Sequence, residues 1–101
     1  MSVHSQLSSD NKTVNIRIEG KFDFSCQREF REAYRNHAQA GQLFQVDLGR
    51  TEYMDSSALG MLLLLKEHAD SCKGKVVLKQ ANGDILKILE MANFGRQFEI
   101  N

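Results

Sequence analysis

The chain of 101 residues has no proline, only two cysteines, no net charge and no long apolar run, and each shortage closes off a class of protein. Without proline, and without Gly/Ser-rich, low-complexity or repeated segments, nothing marks an internal boundary, so one domain over residues 1–101 is expected. Thirteen basic residues balance thirteen acidic ones with no run of like charge, which leaves no electrostatic footprint for nucleic acid or an anionic membrane. The N-terminus lacks an apolar signal region, and no apolar stretch approaches the roughly 18 residues of a membrane span. A cytoplasmic protein is expected. Cys26 and Cys72 stand 46 positions apart, with no C-x-x-C spacing and no histidine pair nearby, so they read as buried free thiols rather than a disulfide or metal framework.

What is present is a change of periodicity along the chain. "VHSQL" is a weak strand, "SSDNK" a turn, and "TVNIRIE" alternates cleanly, so a hairpin is expected. After "GKFDF", Ser25 is placed to cap a helix carrying Cys26, Phe30, Ala33, Tyr34, His37 and Ala38 on one stripe, with Gly41 ending it. "LFQVDL" reads as a buried strand, "SALGMLLLLKEHADSC" as a second helix and "KVVLK" as another strand. "GDILKILEMANFG" reads as a third helix, with Asp84 near its start and Gly95 past its end, and "QFEI" as a short edge strand. The order β-β-α-β-α-β-α-(β) predicts an α/β fold: a mixed central sheet of four to five strands with three or more helices packed on it through right-handed crossovers.

The second helix has more leucine than one buried face can use. At 100° per residue, Ala58, Met61, Leu62, Leu65, Ala69 and Cys72 form an ordinary core stripe. Leu59 and Leu63 point the other way, in the sector of Ser56, Gly60 and Glu67, with Leu64 beside them. Either another part of the fold covers these leucines, or they form a contact surface for a partner, with Gly60 permitting close backbone approach. In front of them Asp55, Ser56 and Ser57 all favour helix N-caps, although capping needs one such residue. A phosphate on a serine here would meet free amides and the positive end of the helix dipole. It would also place about −1.5 to −2 charge beside an apolar patch, so it is expected to spare the fold and disrupt the contact.

The motif "YMDSSALGMLLLL", with "EGKFDF" and "ILKILEMANFGRQFEI" on either side, resembles the STAS domain family, and within it the single-domain anti-sigma factor antagonists of bacterial partner-switching systems. The likeness runs from about residue 12 to the end. The resemblance implies a STAS fold and phosphorylation of Ser56 by a serine kinase with a histidine-kinase-like ATP-binding fold. A PP2C-type phosphatase would reverse it. The unmodified form would bind that kinase or a further regulatory target and free what the target inhibits, often a sigma factor; such modules also govern stress, surface-growth and biofilm programmes. Asp55 and Ser57 would support the phosphosite, Asp23 in the "GKFDF" turn would neighbour it, and Leu59, Gly60, Leu63 and Leu64 would supply contact area. Ala58 stands where the family often has glycine.

Three rival chemistries find less support in the residues. A serine hydrolase needs a histidine base beside Ser56 or Ser57, yet there is no G-x-S-x-G elbow, and His68 lies twelve residues on, about 18 Å along a helix. His68 reads as exposed, and His37 as an interfacial or partly buried packing residue. A phosphoacceptor receiver needs an acidic pair at its first strand to hold Mg²⁺, and neither early strand has one, so Asp47 reads as a strand-end residue. The alternative kept open is a nucleotide-binding STAS module with no phosphoswitch, using backbone amides before the second helix, although no G-x-G-x-x-G or Walker sequence supports it. No cofactor, no metal and no catalytic residue are expected.

Overall fold

The computed structural model describes residues 2–101. Strand β1 (Ser2–Leu7) turns back antiparallel onto β2 (Thr13–Phe22), as the hairpin reading expects. A 3-10 turn (Phe24–Cys26) leads into α1 (Gln27–Tyr34); β3 (Leu43–Asp47) and β4 (Thr51–Met54) follow, then α2 (Ser56–Ser71), β5 (Lys75–Lys79), α3 (Gly83–Met91), a second 3-10 turn (Phe94–Arg96) and β6 (Glu99–Ile100). The sheet runs β1-β2-β3-β5-β6, and β4 pairs with the far half of β2. Every pairing except β1 with β2 is parallel.

The alternation in β2 dictates the layering. Val14, Ile16 and Ile18 are buried with Phe44 and Val46 of β3 and Val76 and Leu78 of β5, while Asn15 and Arg17 on the opposite face are exposed. Helices cover the apolar face. The core they close includes Phe22, Phe30, Leu62, Leu65, Ile85 and Leu89, and both cysteines are free and buried in it.

The sheet has six strands rather than the expected four to five, the added one being β4, which carries no signature of its own in the sequence. Its burial runs buried, exposed, exposed, buried, which is no period-2 signal, and its pairing with β2 is itself irregular, passing from Gly20–Thr51 to Lys21–Tyr53 and skipping Glu52.

Ser25 does not cap the first helix. Asp23 caps the turn instead, its Oδ1 accepting from the Ser25 N–H (3.0 Å) and hydroxyl (2.6 Å). The helix also stops at Tyr34, short of His37 and Ala38, because the chain beyond is tied to the end of α2. His68 Nε2 bonds the His37 carbonyl at 2.7 Å and the Gly41 N–H donates to the Cys72 carbonyl at 2.9 Å. His68 is therefore half-buried rather than exposed, its ring 5.0 Å from Tyr34 and 5.7 Å from Phe44. α3 ends at Met91, four residues before Gly95, where Asn93 takes the left-handed conformation (φ 59°). The final strand keeps only Glu99 and Ile100, while Phe98 turns inward to stack on Phe94.

Candidate functional site

Two neighbouring strand ends build the site. Phe22 and Met54 are paired across β2 and β4, so the residues that follow them, Asp23 and Asp55, leave the sheet side by side. Each then makes the same turn. Asp55 Oδ1 accepts from the Ser57 hydroxyl (2.6 Å) and the Ala58 N–H (3.0 Å), as Asp23 Oδ1 accepts from Ser25. "DFS" and "DSS" are thus two copies of one Asp-x-Ser device, and the middle residue of each, Phe24 or Ser56, points to solvent.

This resolves the three cap-forming residues in a row. Asp55 is the N-cap of α2 and Ser57 is locked onto it, while Ser56 is the exposed residue between them. Ser57's hydroxyl, and then the Ala58 amide, hold the Asp55 carboxyl below the usual carboxylate range. The cap is therefore fully present above that range and is lost as pH falls through the lowered value. Asp55→Ala is expected to lower stability by about 1 kcal/mol, seen as a lower urea midpoint at neutral pH, and the difference from the parent protein shrinks as the buffer is acidified.

The core stripe of α2 is as expected: Ala58, Met61, Leu62, Leu65, Ala69 and Cys72 are all buried. Ala58, which stands where the STAS resemblance implies that glycine is common, is fully enclosed. The surplus leucines divide. Leu59 and Leu63 are half-buried and pack against the core, so part of the surplus is used inside the chain, whereas Leu64 is 51% exposed. Gly60 is exposed, and a side chain built on it would meet nothing within 4 Å. No packing within the described residues requires glycine there, although glycine in a helix interior costs about 1 kcal/mol relative to alanine.

Two exposed aromatics were missed by sequence reasoning. Phe24 is 68% exposed next to Asp23, and Tyr53, paired with Lys21, is 49% exposed two residues before Asp55. An aromatic at the middle position of an Asp-x-Ser turn is the signal that was available for Phe24. Tyr53 had none, since β4 itself was unread.

The histidines lie elsewhere. His68 is engaged with Tyr34, Phe44 and the His37 carbonyl, and His4 is on β1. Asp47 ends β3 and accepts the Gly49 N–H at 2.8 Å, a turn role. Among the described residues no three His, Cys, Asp or Glu side chains gather as metal ligands, and no helix is long and apolar enough to cross a membrane.

Comparison with known proteins agrees with this architecture. A STAS-domain containing protein of Pseudomonas aeruginosa (strain UCBPP-PA14) is 39% identical over 101 residues, the whole of both chains. Among solved structures, the anti-sigma factor antagonist SpoIIAA in its unphosphorylated form superposes with a TM-score of 0.76 at 17% identity, covering 99% of this chain and 87% of that one. The Bacillus cell fate determinant SpoIIAA in its phosphorylated form gives 0.71 at 17% identity, with 99% and 91% covered. The family described as "Mlab, STAS domain" matches residues 5–100, and with nearly the whole length accounted for, this chain belongs to the STAS domain family.

Proposed function

We propose that the chain is a cytoplasmic protein–protein switch, not an enzyme, controlled by phosphorylation of Ser56. In this reading a serine kinase with a histidine-kinase-like ATP-binding fold modifies Ser56 and a PP2C-type phosphatase restores it. The unmodified form holds the kinase, or another regulatory target, and so frees what that partner restrains. The carrying observation is the placing of Ser56: its side chain is exposed at the start of α2, between two residues occupied with each other, and exposed Gly60 and Leu64 lie further along the same helix.

The chemistry follows from that placing. A phosphate at Ser56 sits near the positive end of α2, which favours the modified domain staying folded. That SpoIIAA has been seen in this fold both without and with phosphate supports such tolerance. For a partner that covers Phe24, Gly60 and Leu64, however, the new charge must be stripped of water next to the ionised Asp55. The first-turn amides offer limited relief, because the Ala58 N–H is already taken by Asp55. The same occupied amide weighs against a nucleotide phosphate docking there.

Ser56→Ala is expected to bind its partner at all times, and Ser56→Asp to remain folded but bind at least about 100-fold more weakly, a difference of about 2.7 kcal/mol. Immobilised variants challenged with extract of the source cells, with retained proteins quantified by mass spectrometry and melting curves run in parallel, read both. Equal retention by two folded variants overturns the switch.

A further inference from the structure

The sheet ends on two unlike edges. β6 offers two residues, one of them the charged Glu99, whereas β1 offers six. Among the described residues β1 pairs only with β2, and it carries none of the devices that discourage strand addition: no proline, no lysine and no bulge. The direction of its backbone follows from one bond. The Ser8 N–H donates to the Thr13 carbonyl at 2.8 Å, so in this antiparallel ladder the even-numbered residues of β1 face β2, and Val3, Ser5 and Leu7 turn their N–H and C=O groups outward.

The side chains of those three residues share the helix-covered face, opposite Ile18, Ile16 and Val14. The cover is incomplete at this rim, where Val3 is half-buried and Leu7 is 38% exposed. The strand is also self-complementary. Antiparallel pairing of two copies about Ser5 sets Ser5 against Ser5, and twice sets Val3 against Leu7, with His4 against Gln6 on the polar face. All six outward N–H and C=O groups of Val3, Ser5 and Leu7 then find partners in each copy. A slip of two residues loses one pair and puts Val3 or Leu7 opposite Ser5. The zero net charge of the chain adds no long-range repulsion between copies.

We propose that the protein forms a two-fold dimer in which β1 pairs with β1 of a second copy, joining the two sheets. The interface closes on itself, as an isologous contact does. It is small, one strand edge with a few flanking side chains, so a dissociation constant on the order of 10 µM is expected. The Ser56 rim, at the ends of β2 and β4 and along α2, is not used, and the dimer stands or falls independently of the phosphoswitch.

Sedimentation equilibrium of the full chain from about 1 µM to about 500 µM spans the expected constant. A monomer–dimer equilibrium is expected. Ser5→Pro removes an outward N–H that β2 does not use, so the fold survives while the constant rises at least about tenfold. Leu7→Lys gives the same rise by charging the edge, and decides the matter if the proline variant fails to fold. Ser5→Cys is expected to cross-link under mild oxidation in preference to Val3→Cys, because facing residues at the two-fold lie about 5.5 Å apart at Cα, within disulfide reach. A monomer throughout the range, a dimer indifferent to both edge variants, or a larger assembly overturns the proposal.

Discussion

Leu65→Ala is expected to cost about 3 kcal/mol, whereas charging its neighbour with Leu64→Glu is expected to change stability by less than about 0.5 kcal/mol. Leu65 is fully enclosed in the core with Phe22, Phe30 and Leu62, so truncation removes buried carbon and leaves a void that a closely packed interior relaxes around only in part. For a domain of this size such a loss lowers the melting temperature by about 12–24 °C, a large share of the whole stability margin. Leu64, one step round the helix, leaves half its surface in water. Its replacement should be nearly silent in a thermal melt and, under the proposed function, should weaken partner capture. A Leu64→Glu melt as damaging as that of Leu65→Ala would place Leu64 inside the core and remove it from the contact surface.

The second large effect concerns two glycines of opposite sign. Gly74→Ala is expected to destabilise by about 3 kcal/mol, because the new methyl group would drive into the backbone carbonyl of Gln42. That carbonyl cannot easily move: it accepts the Lys75 N–H at 3.0 Å, and the buried Gln42 side chain is itself tied to the Asn11 carbonyl at 3.0 Å. Gly60→Ala should do the reverse, raising stability by about 0.5–1 kcal/mol, since the added methyl group meets nothing and the helix gains a better former. If a partner needs the bare backbone at Gly60, the same alanine weakens binding. Thermal melts of both variants, with capture measured on Gly60→Ala, give the two answers. A stabilised Gly60→Ala that binds as well as the parent protein removes Gly60 from the surface.

Much of this is legible in the sequence. Strict alternation named the inward residues of β2, and the 100° wheel named the buried stripe of α2 without error, because both patterns are set by one repeating geometry. Cap chemistry announced a helix start at Asp55, Ser56 and Ser57, but not that Asp55 and Ser57 would bond to each other and leave Ser56 exposed between them. What failed depended on distant parts of the chain. The four residues of β4 have no period of their own and owe their strand form to the far half of β2. The end of α1 is fixed by bonds to His68 and Cys72, more than thirty residues away. A helical wheel likewise gives the direction of Leu59 and Leu63 but not what lies over them.

The twin Asp-x-Ser turns have a consequence for timing. Because one pair of strands sets the distance between Phe24 and Ser56, whatever grips the aromatic ring samples the serine at the same instant and at a fixed offset. Under the proposed switch the domain then works as a stamp rather than a latch, its two contact points spaced by paired strands. Its response time would be that of the enzymes that write and erase the mark.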